Sequence, residues 1–210
     1  MKSLGDTAVL PYYYYYHCFD EGEIGFLFNI QGVIALDISG IYQDLSVDFP
    51  RIEEPHWKRE AREIVSLSQL SEYPSMVELL LLRAVNELTS YFMGELLTFT
   101  VPIYPVGTDF QLQVWQALMT IPYGEVMTYK DLALKINNPK GTRAVGAANG
   151  KNPLPIIIPC HRVIQSDQTL GGYSGGVRIK IALLEREGFT FSSGKAGLKV
   201  VQGQSVLPLE

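Results

Sequence analysis

The sequence predicts an α/β first half and a mainly helical second half that contains a helix-turn-helix. Residues 10–48 alternate short apolar runs with turn residues, which is the pattern of β-strands. From residue 50 onward, apolar side chains recur mostly at helical spacing. Within residues 128–150, two short helical segments flank a tight turn, with basic residues at the junctions. The 210 residues and 47% apolar content allow one large core or two smaller ones.

Charge divides the chain into two parts. The net charge is −5, which by itself argues against a polyanionic partner. Residues 127–187, however, hold nine basic and four acidic side chains, a net charge of +5, which leaves −10 on the rest. The positive segment argues the other way and indicates a surface for an anionic partner.

Cysteine content and hydropathy indicate the compartment. Cys18 and Cys160 are too few for a disulfide framework or an all-cysteine zinc site. No uncharged run approaches the roughly 20 residues of a membrane span, and the first residues lack the apolar segment of a secretory signal. We therefore expect Cys160 to be a free thiol in a cytoplasmic protein, or a nuclear one in a eukaryote.

The first strand is predicted at five consecutive tyrosines, residues 12–16. Turn signals at Glu21-Gly22 and Gln31-Gly32 separate this run from two further apolar strands. The tyrosines could also form a platform on which nucleic-acid bases stack, but at most three of the rings share one face of a strand. We interpret the run as a β-strand with solvated hydroxyls.

Two helices are predicted to cover this sheet. Apolar residues recur at helical spacing over 57–70 and again over 76–92, where Ser75 is the predicted cap and Gly94 the end. His17, Cys18 and His56 are the only other soft metal ligands, and they are too scattered to predict a metal site.

The domain boundary is predicted at an extended linker that contains Pro102 and Pro105. We place an N-terminal α/β domain at residues 1–100, the linker at 101–106 and a C-terminal domain at 107–190. Residues 191–210 are expected to be a flexible tail, because the stretch after Phe191 is rich in Gly, Ser and Lys.

The C-terminal domain is predicted to begin with a helix capped by Thr108. Thr128 and Thr142 can each cap one short helix of the helix-turn-helix, over residues 129–136 and 143–150. After Arg143 the second helix has nearly only Ala, Gly and Val, which are too small to read base edges but allow close approach to a narrow surface. A final helix is predicted over 177–187, ended by Gly188.

The strongest functional signal is an apolar run interrupted by reactive side chains, Ile-Ile-Ile-Pro-Cys-His-Arg-Val-Ile at residues 156–164. We expect the isoleucines to form a buried strand that presents the sulfur at its end. Cys160 attacks only as a thiolate, so it needs a base or a positive field close by. His161 is the nearest base, but neighbours in a strand point to opposite faces, so a turn or a bridging water is required. Glu185 or Glu187 could orient the imidazole. The alternative is that Cys160 is only a small core residue.

A glycine-rich loop follows this run. Four glycines surround Tyr173 and Ser174 at residues 171–176, and without side chains they leave the backbone N–H groups accessible. Such a loop can line a pocket, or it can simply be flexible. A Cys-His-Glu arrangement serves cysteine hydrolases and alkyl acceptors alike. Redox use is disfavoured, because no second cysteine lies near enough in sequence to resolve a disulfide.

Together these segments resemble the O6-alkylguanine-DNA alkyltransferases, also called methylated-DNA-protein-cysteine methyltransferases. The resemblance covers about residues 107–188, and its centre is the Pro-Cys-His-Arg-Val block. The flanking blocks agree with it in order and spacing: GTDFQ at 107–111, IPYGE at 121–125, RAVG at 143–146, NPLP at 152–155 and GYSGG at 172–176.

The resemblance implies direct-reversal DNA repair, in which Cys160 takes the alkyl group from O6-alkylguanine in double-stranded DNA. The transfer is irreversible, so each molecule acts once as a methylated-DNA-protein-cysteine S-methyltransferase, with no cofactor. The implied fold is a ribonuclease-H-like N-terminal α/β domain with a mainly α C-terminal winged helix-turn-helix domain. We expect a monomer that does not contact membranes, and no metal, because the chain lacks the zinc-binding cysteines and histidines of certain relatives.

The resemblance also assigns roles by position. Cys160 is the acceptor and is activated through water by His161, which Glu187 orients. Tyr129 donates a proton toward the guanine N3, Asn152 braces the turn before the active strand, and Arg143 replaces the flipped base in the stack. The other implied DNA contacts are Thr128, Ala144, Gly146 and Lys151. The implied base pocket consists of Pro155, Val163, Gly171, Tyr173, Ser174 and Gly175.

Two other functions stay open. A lesion-binding relative that does not react would lack the acceptor thiol, although a misaligned His161 or Glu187 could have the same effect. A cysteine hydrolase of small acyl substrates would turn over repeatedly and would ignore DNA.

Overall fold

A four-stranded sheet forms the first half of the computed structural model, which describes residues 12–41, 62–63, 73–194 and 197–201. Strands β1 (Tyr13–Phe19), β2 (Gly22–Asn29) and β3 (Gly32–Ile41) are an antiparallel meander, and β4 (Arg62–Glu63) pairs parallel to β1. The strand order is β3-β2-β1-β4. The strand predicted at the tyrosine run and the two predicted turns are confirmed.

Helix α1 (Ser75–Phe92) packs its apolar stripe, including Leu81 and Leu88, into the same core as Phe26 and Phe28 of the sheet. The predicted cap at Ser75 was wrong, because Ser75 is the first helical residue and its side chain makes no capping hydrogen bond. The residue at the cap position is Pro74, which has no backbone N–H to donate. Gly94, with φ +78°, ends it as predicted.

The helix predicted over 57–70 lies largely outside the described residues. Its described part, Arg62–Glu63, is the strand β4 rather than a helix, because its backbone pairs with β1. The apolar residues here have helical spacing, but pairing with a neighbouring strand can override such a local pattern.

The stretch after α1 runs back along the sheet edge. Val33 N donates to Pro102 O at 2.9 Å, and Tyr104 N donates to Val33 O at 2.8 Å. Glu87 of α1 fixes the start of this stretch by accepting hydrogen bonds from the backbone N–H groups of Thr100 and Val101. The extended chain between the halves is therefore attached to the first half.

Three short helices form the helix-turn-helix and its support: α2 (Asp109–Leu118), α3 (Tyr129–Lys135) and α4 (Thr142–Gly150). The caps predicted at Thr108 and Thr128 are confirmed, and Thr108 forms a full capping box with Gln111. The α4 helix begins one residue earlier than predicted, with Gly141 at its cap and Thr142 inside it. Trp115 on α2 donates from Nε1 to Ala148 O on α4 at 2.9 Å, which fixes the angle between these helices.

Helix α5 (Val177–Arg186) follows the glycine-rich loop and ends at Gly188, with φ +89°, as predicted. A short parallel pair, β5 (Met127–Thr128) and β6 (Val163–Ile164), joins the helix-turn-helix to the segment that carries Cys160. Within the described residues, one main core runs from Tyr13 in the sheet to Leu183 in α5, so the two halves share their apolar interior.

The segment after α5 forms a hairpin of β7 (Thr190–Gly194) and β8 (Gly197–Val201), where the sequence had predicted a flexible tail. Val200 is buried against Ile164, Leu170, Leu184 and Phe189, and Leu170 N donates to Leu198 O. The alternating apolar residues at 198 and 200 were missed, because Gly, Ser and Lys dominate the local composition. None of the helices in the described ranges is long and apolar enough to cross a membrane.

Candidate active site

A tight turn, and not the predicted strand, precedes Cys160. Ile156 has φ +75°, a costly backbone conformation for a β-branched residue, and it is fully buried. Asn152 holds the turn by donating from Nδ2 to Ile158 O at 2.7 Å and accepting from Leu154 N at 3.0 Å. The chain then enters a short 3-10 helix, Cys160–Arg162. Prolines at 155 and 159 cannot donate to a strand ladder, which explains why the strand is absent.

The thiol of Cys160 is buried, with 2% of the residue exposed. Its Sγ lies 3.7 Å from the hydroxyl oxygen of Tyr173. Burial raises the pKa of the Cys160 thiol, while hydrogen bonds from Asn152 and Tyr173 and the charge of Lys180 oppose that rise. The net rise keeps the sulfur protonated at neutral pH, so an attack requires a base.

The imidazole of His161 faces away from solvent and toward Glu187, with Nε2 2.9 Å from Oε1. Because a carboxylate only accepts, Nε2 carries the proton of this bond. Burial lowers the pKa of His161, although the Glu187 charge raises it, so the imidazole is neutral and Nδ1 is left with a lone pair. Nδ1 is buried and has no hydrogen-bond partner among the described residues, so it is available as a base.

Of the two candidate glutamates, only Glu187 reaches the imidazole, whereas Glu185 is exposed. Arg162 binds both Glu187 oxygens, with Nε to Oε2 and Nη2 to Oε1 at 2.9 Å each, and its Nη1 donates to Ile121 O. Tyr91 also donates to Oε1 at 2.9 Å. Burial raises the pKa of Glu187, but His161 and Arg162 outweigh burial and lower it to about 2. The carboxylate is therefore ionised.

A buried lysine was missed by the sequence analysis. Lys180 on α5 is 0% exposed and donates from Nζ to Val163 O at 2.5 Å and to Leu170 O at 2.6 Å. Burial lowers the pKa of Lys180 to about 8, so the amine is mostly protonated at pH 7. The ammonium joins Val163 in β6 to Leu170, directly before the glycine-rich loop, and puts a positive charge near the thiol.

A groove of about 350 Å³ lies between α4 and the glycine-rich loop, and one of the residues that line it, Tyr173, contacts the Cys160 thiol. Five of the residues that the sequence assigned to DNA or base binding line it: Tyr129, Arg143, Gly146, Tyr173 and Ser174. Five others were not predicted: Thr142, Asn149, Gly150, Gln165 and Gly172. Asn149 is the most informative of these, because it is buried, donates to Cys160 O at 3.4 Å and leaves Oδ1 without a partner in the described structure.

The remaining predicted residues lie around the groove without lining it. Thr128 caps α3, Ala144 and Lys151 are exposed on and after α4, and Pro155 belongs to the turn before the thiol. Val163 is buried, and its carbonyl already accepts from Lys180. Gly171 has φ +67°, and a Cβ there would lie 2.9 Å from the Gln165 side chain, while a Cβ at Gly175 would lie 3.0 Å from the Tyr173 ring.

The phenol of Tyr129 lines the groove and is protonated. Burial raises the pKa of Tyr129 above its ordinary value, and the Cys160 sulfur, when ionised, raises it further, so the phenol keeps its proton at neutral pH. Among the described residues, no three His, Cys, Asp or Glu side chains cluster in a way that could hold a metal ion.

The fold and the site together define a helix-turn-helix protein with a cysteine-centred site at the edge of its second helix. Residues 109–189 match the family profile described as 6-O-methylguanine DNA methyltransferase, DNA binding domain. A methylated-DNA-protein-cysteine methyltransferase of Methanosarcina acetivorans is 53% identical over 105 residues, and one of Mycobacterium tuberculosis is 55% identical over 104 residues. Each alignment covers 50% of this chain, and 67% and 63% of the respective relatives. The chain thus spans about two thirds of the length of the curated relatives it matches.

Solved structures agree over a larger part of the chain. A crystal structure of Mycobacterium tuberculosis OGT in complex with DNA has 36% identity and a TM-score of 0.65, and the match covers 83% of this chain and 92% of that one. An O6-methylguanine DNA methyltransferase from Methanococcus jannaschii has 27% identity and a TM-score of 0.51, with 86% and 96% covered. The chain belongs to the O6-alkylguanine-DNA alkyltransferase family. The resemblance predicted from the sequence is confirmed, as is the order of an N-terminal sheet domain and a helical C-terminal domain.

Proposed function

We propose that this protein repairs O6-alkylguanine in double-stranded DNA by moving the alkyl group to Cys160, once per molecule. The observation that carries the proposal is a buried thiol in contact with Tyr173, which lines the groove between α4 and the glycine-rich loop. The neutral His161 beside an ionised Glu187 supplies the base that this protonated thiol needs. The family membership points to the same chemistry.

The reaction follows from the protonation states. His161 Nδ1 takes the thiol proton through a water molecule, and the sulfur attacks the alkyl carbon. The S–C bond forms as the C–O6 bond breaks, and the electron pair passes to the guanine ring. Tyr129, which keeps its proton at neutral pH, donates it toward N3 of the leaving base. The product is a thioether, which has no easy hydrolytic exit, so the acceptor is consumed.

The damaged base must leave the duplex to reach the groove, because the thiol is not exposed. The small residues of α4 allow the helix to approach a minor groove, and Arg143, exposed at the start of α4, takes the place of the flipped base. The positive segment 127–187 provides the attraction for phosphates that the net charge of −5 does not. In the groove, Tyr173 and Ser174 lie against the base and its O6.

The proposal also covers the folds of the two domains, their bounds and the oligomeric state. The strand order β3-β2-β1-β4, with β4 parallel to β1, supports a ribonuclease-H-like first domain, and the β5–β6 pair and the β7–β8 hairpin support the winged form of the second. Residues 1–100 are the first domain and 101–106 the linker, and the second domain, predicted at 107–190, extends to residue 201 because the β7–β8 hairpin packs against it. The protein acts as a monomer in the cytoplasm, or in the nucleus of a eukaryote, where its DNA substrate lies.

The deciding experiment uses duplex DNA with a radiolabelled methyl group at O6 of one guanine. Label should appear on Cys160, identified by peptide mapping, and should stop near one label per protein molecule. Binding without label would indicate a lesion-binding protein. Release of labelled product in repeated turnovers would indicate a hydrolase, and either result would overturn the proposal.

Arg143→Ala is expected to slow the repair of duplex DNA by about tenfold or more, while the reaction with free O6-benzylguanine changes less than about twofold. The side chain is needed only where a flipped base leaves a gap in the stack, and unstacking costs a few kcal/mol. Single-turnover rates on both substrates measure the difference. Equal losses on the two substrates would contradict this role.

A further inference from the structure

A tyrosine from the first half of the chain contacts the catalytic carboxylate in the second half. The Tyr91 hydroxyl on α1 donates to Glu187 Oε1 at 2.9 Å, and Tyr91 is 0% exposed. Oε1 is also the oxygen that lies 2.9 Å from His161 Nε2. Only one carboxylate oxygen therefore separates the Tyr91 hydroxyl from the imidazole.

The packing around Tyr91 fixes the direction of its hydroxyl. Its ring contacts Phe92, Phe99 and Tyr123, with ring centroids 5.5 to 6.1 Å apart. Other contacts from the first half reach the same region: Leu36 N donates to Pro153 O at 2.8 Å, beside Asn152. The first half thus contacts both the turn before the thiol and the carboxylate behind the histidine.

We propose that Tyr91 is a positioning residue for the His161–Glu187 pair, which makes α1 of the first half a part of the alkyl-transfer site. This inference rests on the proposed function, because the reaction that the His161–Glu187 pair serves is the alkyl transfer proposed above. The hydroxyl holds Oε1 in place and takes up part of its negative charge. It therefore helps to set how strongly Glu187 favours a second proton on His161.

The charges around the pair give the direction of the effect. Glu187 favours the imidazolium form of His161, whereas Arg162 and Lys180 disfavour it. Arg162 and Tyr123 also face Glu187. Without the Tyr91 hydroxyl, Oε1 keeps more charge, so the imidazolium is stabilised and the pKa of His161 rises. A larger fraction of the base is then protonated near neutral pH, and transfer slows.

Tyr91→Phe tests this inference because phenylalanine keeps the ring and its packing. Tyr15→Phe is the matched control: it removes a first-half hydroxyl that bonds to His17 instead. Single-turnover transfer by Tyr91→Phe should be about tenfold slower at pH 7, the scale of one hydrogen bond to a charged group, with unchanged affinity for DNA. The acid limb of its pH-rate profile should move to higher pH, while the control behaves like wild type.

An NMR titration of the imidazoles gives a readout that does not depend on repair. The chain has 3 histidines, so His161 can be assigned by substitution, and its titration midpoint should rise only in Tyr91→Phe. A wild-type rate and an unmoved His161 midpoint would overturn the inference. A lower melting temperature with an unmoved midpoint would also overturn it, because it would leave Tyr91 a purely structural role. If wild type transfers no label, the proposed function fails, while the His161 midpoint still decides the role of Tyr91.

Discussion

Cys160→Ala is expected to abolish alkyl transfer while the affinity for duplex DNA with O6-methylguanine stays within about twofold of wild type. The sulfur is the only atom that accepts the alkyl group, and no neighbouring side chain can replace it. Alanine removes the contacts of the sulfur with Tyr173 and Asn152 and leaves the groove-lining residues in place. Label transfer and fluorescence anisotropy with the same duplex measure the two properties.

The other cysteine provides the control for this prediction. Cys18 is exposed on β1 and lies outside the groove, so Cys18→Ala should transfer at the wild-type rate. Residual labelling of Cys160→Ala above background would place the acceptor elsewhere. Loss of DNA affinity together with labelling would show that the thiol is part of the binding surface instead.

Glu187→Gln is expected to lower the free energy of unfolding by about 3 kcal/mol, as when one partner of a buried ion pair is removed. The glutamine amide removes the negative charge that pairs with the buried Arg162 guanidinium. Its NH2 group also replaces an oxygen that accepted a hydrogen bond, so a donor then faces a donor. Urea unfolding of both proteins at pH 7 measures the loss. Glu185→Gln, two residues away on the exposed face, should change stability by less than about 0.5 kcal/mol.

The loss in Glu187→Gln should depend on pH in a defined direction. The folded-state pKa of Glu187 is about 2, below its ordinary value of 4.5, so the carboxylate contributes its full stability above pH 4.5. As the pH falls from 4.5 toward 2, the unfolded chain binds a proton at this carboxylate while the folded protein keeps it ionised, so the difference in stability between wild type and variant should shrink. A difference that grows on acidification would contradict the assignment of the charge to Glu187.

Local signals predicted much of the second half. The hydroxyls of Thr108 and Thr128 cap their helices, as the residue types and spacing indicated. The choice of Glu187 over Glu185 could also have been made from the sequence. Ile179, Leu183 and Leu184 form the buried stripe of α5, and position 187 continues that stripe whereas 185 does not.

Contacts between distant residues could not be predicted in this way. Tyr91 and Glu187 are 96 residues apart, and no periodic pattern reports a hydrogen bond of that separation. The strand predicted at the three isoleucines was wrong for a different reason. A run of three buried isoleucines is compatible with a strand and with a buried turn, so the apolar pattern alone does not distinguish them. The flanking prolines were the signal that a strand was unsuitable there.

The buried amine of Lys180 has a consequence for chemoselectivity. A substrate that carries a transferable alkyl group can also alkylate nitrogen, and an uncharged lysine near the thiol would be a competing nucleophile. Two backbone carbonyls hold the Lys180 Nζ, and its pKa of about 8 leaves most molecules with an ammonium at pH 7, which has no lone pair to offer. Burial moves Lys180 toward its uncharged, nucleophilic form, but at pH 7 the ammonium still predominates, so the sulfur meets little competition from this nitrogen.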